Sequence, residues 1–213
     1  MPLYTTDALI LRSYKLGESD RIVVFLTRDR GKKRGVARNA RQSRRRFGGA
    51  LEPMTCGRVA YLERERRDLV RIDYVEQTRS PMSAPDGEAL GYAGYFAELI
   101  DEWAPEADPN ETLFRLGVSM VEAMAKGVPI EPLARYFEFW LLRLQGVYQV
   151  DARLSDEARA FLDAVRRLTP FALGHLAVSP RALVELEASH RALIAMHLEK
   201  ELKSVRVLRE MRK

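Results

Sequence analysis

Cysteine is almost absent from this chain: Cys56 is the single one among 213 residues. An internal disulfide and a zinc site built on several cysteines are thereby excluded. A reducing, cytoplasmic setting fits that usage. Histidine is also scarce, with His175, His190 and His197 all in the second half. Long hydrophobic runs are missing too. The longest, such as Ile22–Leu26, fall far short of the roughly 20 apolar residues that span a bilayer. The N-terminus lacks the basic start and apolar run of a secretory leader.

Signatures of catalysis are missing as well. There is no glycine-rich phosphate loop ending in lysine, no dinucleotide-binding glycine pattern after a strand and no nucleophile elbow. His190 and His197 are seven residues apart on one helical pattern, about 10 Å along its axis, too far to share one metal. Glu187-x-x-His190 has the spacing of di-iron bundles, but those need a second copy and further glutamates, and one copy is present. Packing or surface roles suit these histidines better, and Cys56 reads as a small buried apolar residue. The expectation is a protein that is not an enzyme and uses no metal or cofactor.

What is present is positive charge in one place. Residues 28–46 hold ten basic side chains (Arg28, Arg30, Lys32, Lys33, Arg34, Arg38, Arg41, Arg44, Arg45 and Arg46) against one acid, Asp29. The whole chain has a net charge of only +5. Residues 1–80 carry 19 Lys/Arg and 10 Asp/Glu, leaving 16 and 20 for residues 81–213. Concentrated charge of this kind points to a polyanion, with a solvated basic loop as the bland alternative. If five of these residues met phosphates, the single-strand salt slope would be about −3.5, roughly a hundredfold in affinity between 50 and 200 mM salt.

The pattern divides at Ser80–Gly87 (SPMSAPDG), whose prolines, glycine and serines break regular structure. Before it, runs at Ala8–Leu11, Arg21–Thr27, Arg34–Arg38, Thr55–Leu62 and Leu69–Glu76 are strand-like, with a hairpin connection over Glu63–Asp68. Five short strands in about 80 residues suit a small barrel. After it, apolar stripes predict about five helices: Leu90, Phe96, Leu99, Ile100 and Trp103; Leu113, Leu116, Met120, Val121 and Met124, closed by Gly127; Leu133, Phe137, Trp140, Leu141 and Leu144, closed by Gly146. Ser155 and Ser179-Pro180 predict two further starts. The last helix takes Leu183, Leu186, His190, Leu193, Ile194, His197 and Leu198 as its inner face. The methionines and tryptophans at this spacing are core, or the lining of a groove for a partner's helix or tail. The expected architecture is α+β: a domain over 1–80 and a helical domain over 81–213.

A small barrel that binds single strands pairs a basic groove with aromatic platforms. Candidates for backbone contact are Lys32, Lys33, Arg34, Arg38, Arg41, Arg44, Arg45 and Arg46. Phe47, between the arginines and Gly48-Gly49, is either a stacking platform or an anchor tucked under the barrel. In the helical half, Lys200, Lys203 and Arg206 are candidates for the basic rim of a cleft that takes a partner's peptide tail.

Several short stretches, in order, resemble one family: Asp7–Arg12, Gly17–Val23, Gly31-Lys32, Val36–Arg41, Ser43-Arg44, Gly49–Pro53 and Leu202–Ser204. They are similar to RecO proteins, bacterial recombination mediators. The resemblance implies an oligonucleotide/oligosaccharide-binding (OB) barrel followed by an all-α domain. It further implies binding of single- and double-stranded DNA, strand annealing, and partnership with RecR and the acidic tail of single-strand-binding protein. Recombinase loading, with indirect contact to the RecA filament, in a cytoplasmic, nucleoid-associated setting follows from the same resemblance. Two departures stand out. The four-cysteine zinc module of many members has no counterpart here, and Asn39 stands where glycine is frequent, asparagine being tolerant of positive φ. The competing reading is an OB-fold RNA-binding protein of ribosome assembly or translation; a third is a protein adaptor whose basic loop meets an acidic surface.

Overall fold

The computed structural model describes residues 2–63, 68–85 and 87–211. Five strands come first: β1 (Leu3–Leu16), β2 (Asp20–Thr27), β3 (Gly31–Ala37), β4 (Cys56–Leu62) and β5 (Leu69–Arg79). They close into a barrel in the order β1-β2-β3-β5-β4, all neighbours antiparallel except β3 and β5. This is the expected five-stranded OB barrel. Residues 64–67, the middle of the expected β4–β5 hairpin connection, lie outside the described residues.

β1 runs well beyond the expected Ala8–Leu11 because it serves two neighbours. Its first half pairs with β4 and its second half with β2, with an extra residue between Ile10 and Arg12 in the β2 register. A bulge of this kind bends a strand and re-aims its side chains. Ala8 and Ile10 point into the barrel, packed with Val23, Phe25, Val59, Tyr61 and Ile72. Leu9 and Leu11 belong to a second core, shared with the helices. Unbroken apolar runs such as Ala8–Leu11 mark strands buried on both faces.

The Ser80–Gly87 stretch contains a 3₁₀ turn, Pro81–Ser83, capped by the Ser80 hydroxyl, which accepts from the Met82 N–H. Six α-helices follow among the described residues: α1 (Glu88–Trp103), α2 (Glu111–Ala125), α3 (Ile130–Leu144), α4 (Asp156–Val165), α5 (Pro180–Leu198) and α6 (Lys203–Met211). Ser155 and Ser179 are N-caps, each hydroxyl accepting from the N–H three residues on. Gly127 and Gly146 have φ of +72° and +70°, the left-handed conformation that ends many helices. The stripe residues of α2 are all buried. Three stripe positions elsewhere differ from expectation: Leu90, Leu144 and His197 are exposed. Each lies in the first or last turn of its helix, where the stripe runs off the core.

The outer face of the barrel shares a core with the helices. Leu9, Leu11, Val24, Leu26, Met54 and Cys56 form a continuous cluster with Tyr92, Phe96, Leu99, Ile100 and Met120. Gly117 lets α2 approach β1: a Cβ there would lie 2.6 Å from Leu9 Cδ2. Cys56 sits in this interior, where burial pushes its thiol up to about 12; at neutral pH it is protonated and unreactive.

The helical half also buries a polar cluster. Glu138 accepts from Tyr95 Oη at 2.8 Å and pairs with Arg135 at 3.0 Å, while His190 Nδ1 lies 3.0 Å from its other oxygen. Burial first, and the Glu138 charge second, hold the Tyr95 hydroxyl well above its ordinary pKa. His190 is thus a packing residue, while His175 and His197 are at the surface.

Candidate nucleic-acid interface

Residues 38–55 connect β3 to β4 and carry the second half of the basic stretch. The connection is tied to its surroundings along its length. Asn39 takes φ +54° and its N–H donates to Asp20 Oδ1 at 2.8 Å. The Arg41 N–H donates to the Ser19 carbonyl at 3.1 Å and its guanidinium to the Glu18 carbonyl at 2.8 Å. Farther on, the Val75 N–H donates to the Arg46 carbonyl at 3.0 Å, and the Met54 N–H to the Ile10 carbonyl at 2.7 Å. The loop is therefore built against the β1–β2 hairpin, β5 and β1.

Phe47 is the plug that holds it. Its side chain is 1% exposed and packs with Ala50, Leu51 and the barrel interior. Burying such a ring contributes about 2–3 kcal/mol. The anchor reading of Phe47 replaces the stacking one, because a ring inside the barrel presents no face to a base. The Arg46 guanidinium lies 5.0 Å from the Phe47 ring centre and donates to the Arg38 carbonyl at 2.7 Å and to Ser43 Oγ at 3.1 Å. Arg46 is half-buried and helps shape the loop.

The remaining arginines of the loop face outward. Arg38, Arg41, Arg44 and Arg45 are exposed, and among the described residues no carboxylate lies within ion-pair distance of any of them. Arg41 and Arg44 line a concavity of about 350 Å³ together with Arg21, Gly48 and Gly49. Glu52 lines it too, without reaching ion-pair distance of these cations. Arg21 is the residue sequence reasoning missed. It opens β2 opposite Lys15 in the β1–β2 register, and its guanidinium donates to Ser13 Oγ at 2.8 Å. The signal available was its place in the Gly17–Val23 stretch, just after the β1–β2 turn, to which Arg41 of the basic loop is hydrogen-bonded.

The β3 candidates stand differently. Lys32 is 7% exposed, its Nζ donating to the Asp101 carbonyl at 2.5 Å and Asp101 Oδ1 at 3.2 Å. It joins barrel to α1 and is not available to a phosphate, which corrects its assignment. Lys33 is half-buried and pairs with Glu63 at 2.6 Å; Arg34 is exposed but pairs with Glu106 at 2.7 Å. Alternation along a strand sends neighbouring cations to different surroundings, so a basic run spanning β3 does not act as one surface.

Among the described residues, Lys200, Lys203 and Arg206 line none of the concavities described here. Lys200 pairs with Glu102, and Arg206 with Glu210 one turn along α6. The N–H groups of Lys203 and Ser204 donate to Glu98 at 3.2 and 2.7 Å. Leu202-Lys203-Ser204 is therefore the start of α6, a helix absent from the sequence-based expectation, with a carboxylate of α1 at its positive end. An apolar groove of about 750 Å³ lies between α2, α3 and the 3₁₀ turn Pro170–His175. Phe114, Leu116, Tyr136, Trp140 and Phe171 line it, with Arg28, Arg115, Glu111 and Glu122 at its edges. Trp140 thus serves a groove, whereas Met120 and Met124 are core.

A closed five-stranded barrel, a helical domain packed on its outer face and a loop of arginines without carboxylate partners among the described residues together define an OB-fold protein with an appended helical domain. Comparison with known proteins narrows this. Residues 1–81 match the family described as "Recombination protein O N terminal", and residues 84–151 the one described as "Recombination protein O C terminal". The "DNA repair protein RecO" of Koribacter versatilis is 44% identical over 148 residues, 68% of this chain and 59% of that protein. That of Geobacter sulfurreducens is 39% identical over 163 residues, covering 76% and 66%. That of Pelotomaculum thermopropionicum is 35% identical over 156 residues, covering 73% and 60%. The chain belongs to the RecO family. It spans about 60% of the length of relatives it matches.

Proposed function

We propose that this chain acts in DNA repair as a recombination mediator. It binds single- and double-stranded DNA through Arg38, Arg41, Arg44 and Arg45, with Arg21 beside them, and anneals complementary strands. Annealing needs no bond-making residue, so the role is not enzymatic: fixed cations offset the repulsion between two phosphate backbones. The observation that carries the reading is the cluster of exposed arginines without carboxylate partners among the described residues, on a loop held by main-chain hydrogen bonds. Contacts of this kind read backbone and not base identity.

The partners proposed with this role, on the resemblance to RecO proteins, are RecR, single-strand-binding protein and, through loading, the RecA filament, with a cytoplasmic setting. No helix among the described residues is long and apolar enough to cross a membrane. For the tail of single-strand-binding protein, the groove beside Trp140 replaces the α6 cations as the proposed seat. Its aromatic floor suits apolar side chains, and Arg115 at its edge suits an acidic end.

The test is annealing of two complementary oligonucleotides coated with the cognate single-strand-binding protein, with and without this chain. The expected result is acceleration. Tight binding to bare strands with no acceleration of coated ones would remove the mediator role and leave a DNA-binding barrel.

A further inference from the structure

The segment between α1 and α2, residues 104–110, crosses the barrel beside β3. Among the described residues β5 pairs with β3 only from Arg34 to Ala37, and no described strand of the barrel lies on that side of Gly31–Lys33. The crossing segment fills the place. Glu106 bridges to Lys32 in parallel fashion, and the Ala107 N–H donates to the Lys32 carbonyl at 2.9 Å. Gly31, at φ +69°, admits the segment closely, for a Cβ there would lie 2.4 Å from Asp108 N. The backbone of this strap is fixed, and with it the position of its acids.

Glu106 of the strap, with one acid from each helix that flanks it, meets the basic stretch. Asp101, at the end of α1, holds Lys32 in a buried pair. Glu106 holds Arg34 at 2.7 Å and Glu111, at the start of α2, holds Arg28 at 2.8 Å. The last two pairs differ from the first in exposure, every member being more than half exposed. Exposed ion pairs are weak and exchangeable, whereas the buried one is permanent.

We propose that Glu106 and Glu111 are built-in competitors of nucleic-acid phosphate: they occupy Arg34 and Arg28 in the free protein and yield them when a single strand of DNA arrives. This rests on the DNA-binding reading above and adds its regulation. The strap itself does not move; a guanidinium turns from a carboxylate to a phosphate oxygen of similar geometry. Capture by these two residues is weakened by the cost of giving up the internal partner. The strand is then held firmly by the loop arginines and loosely along β3, which suits a protein that must release a duplex after pairing it.

The experiment is binding of a fluorescent oligo(dT) strand across a salt series, with thermal melts to confirm folding. Glu106→Gln is expected to raise affinity about threefold at low salt and to steepen the salt slope by about 0.7, one phosphate contact. The double variant Glu106→Gln with Glu111→Gln doubles the slope change. The decisive comparison is Glu106→Gln in an Arg34→Gln background. A gain that disappears there supports competition for Arg34. A gain that survives is long-range repulsion and overturns the proposal. No gain in Glu106→Gln, while charge reversal of the loop arginines abolishes binding, overturns the strap's role and leaves the DNA reading standing. Absence of binding by the unaltered protein overturns both.

Discussion

The basic stretch comprises two runs of five cations that the fold treats in opposite ways. In residues 28–34, Arg28, Arg30, Lys32, Lys33 and Arg34 each have a carboxylate within ion-pair distance, on Glu111, Asp29, Asp101, Glu63 and Glu106. In residues 38–46, Arg38, Arg41, Arg44, Arg45 and Arg46 have none among the described residues. The first run lies on a turn and a strand beside the α1–α2 region, which supplies most of its acids; the second lies on the loop between β3 and β4. Charge density along a sequence is therefore not charge offered to a ligand. Half of this stretch is neutralised within the chain, mostly by acids of the α1–α2 region.

The largest effect expected from breaking this contrast is in binding. Reversing Arg38, Arg41, Arg44 and Arg45 to glutamate should lower affinity for single-stranded DNA by about two to three orders of magnitude at low salt and flatten the salt slope by about 2.8. Melting should change little, since all four are exposed. A folded variant with the slope of the unaltered protein would take this loop out of the DNA path.

Next is a change confined to stability. Lys32→Met should destabilise the fold by about 3 kcal/mol, at the low end for breaking a buried pair, because Arg12 Nε remains 2.7 Å from Asp101. Affinity for DNA, measured where the variant is folded, should stay within about twofold. A large loss of affinity with unchanged denaturant midpoint would put Lys32 back among the phosphate contacts and erase the contrast between the two runs.

Much of the frame was legible in the residues. β-branched runs marked the strands, the Ser155 and Ser179 caps marked two helix starts, and the position of the basic loop marked the candidate surface. What was not legible is pairing at a distance. Lys32 and Asp101 are 69 residues apart, and nothing in the local pattern of β3 distinguishes a lysine pinned beneath α1 from an arginine in solvent. Phe47 misled for a related reason: an aromatic beside arginines has the composition of a stacking site, and only the path of the loop shows that it plugs the barrel. α6 escaped because it is short, with Val205 and Leu208 alone buried, too few to make a stripe.

The smallest effect concerns pH, which acts on the covered side of the molecule and leaves the arginines of the loop alone. Glu98 sits where barrel, α1 and α6 meet. Burial opposes its ionisation, but hydrogen bonds from Ser204 and from the Lys203 N–H, with the charge of Arg12 nearby, outweigh burial and hold its carboxyl below the ordinary 4.5. A carboxyl with a lowered pKa in the folded state stabilises the fold fully above its unfolded value, and that contribution disappears as pH falls through the folded value. Stability should therefore decline below about pH 4.5, with α6 loosening from α1 as Glu98 takes up a proton. Glu98→Gln, which keeps one acceptor for α6 and removes the charge, should be less stable at neutral pH and should approach the unaltered protein in acid. Parallel stability curves for the two proteins from pH 7 to 3 would show that the charge of Glu98 does not hold this joint, and that packing of Leu202, Val205 and Leu208 suffices.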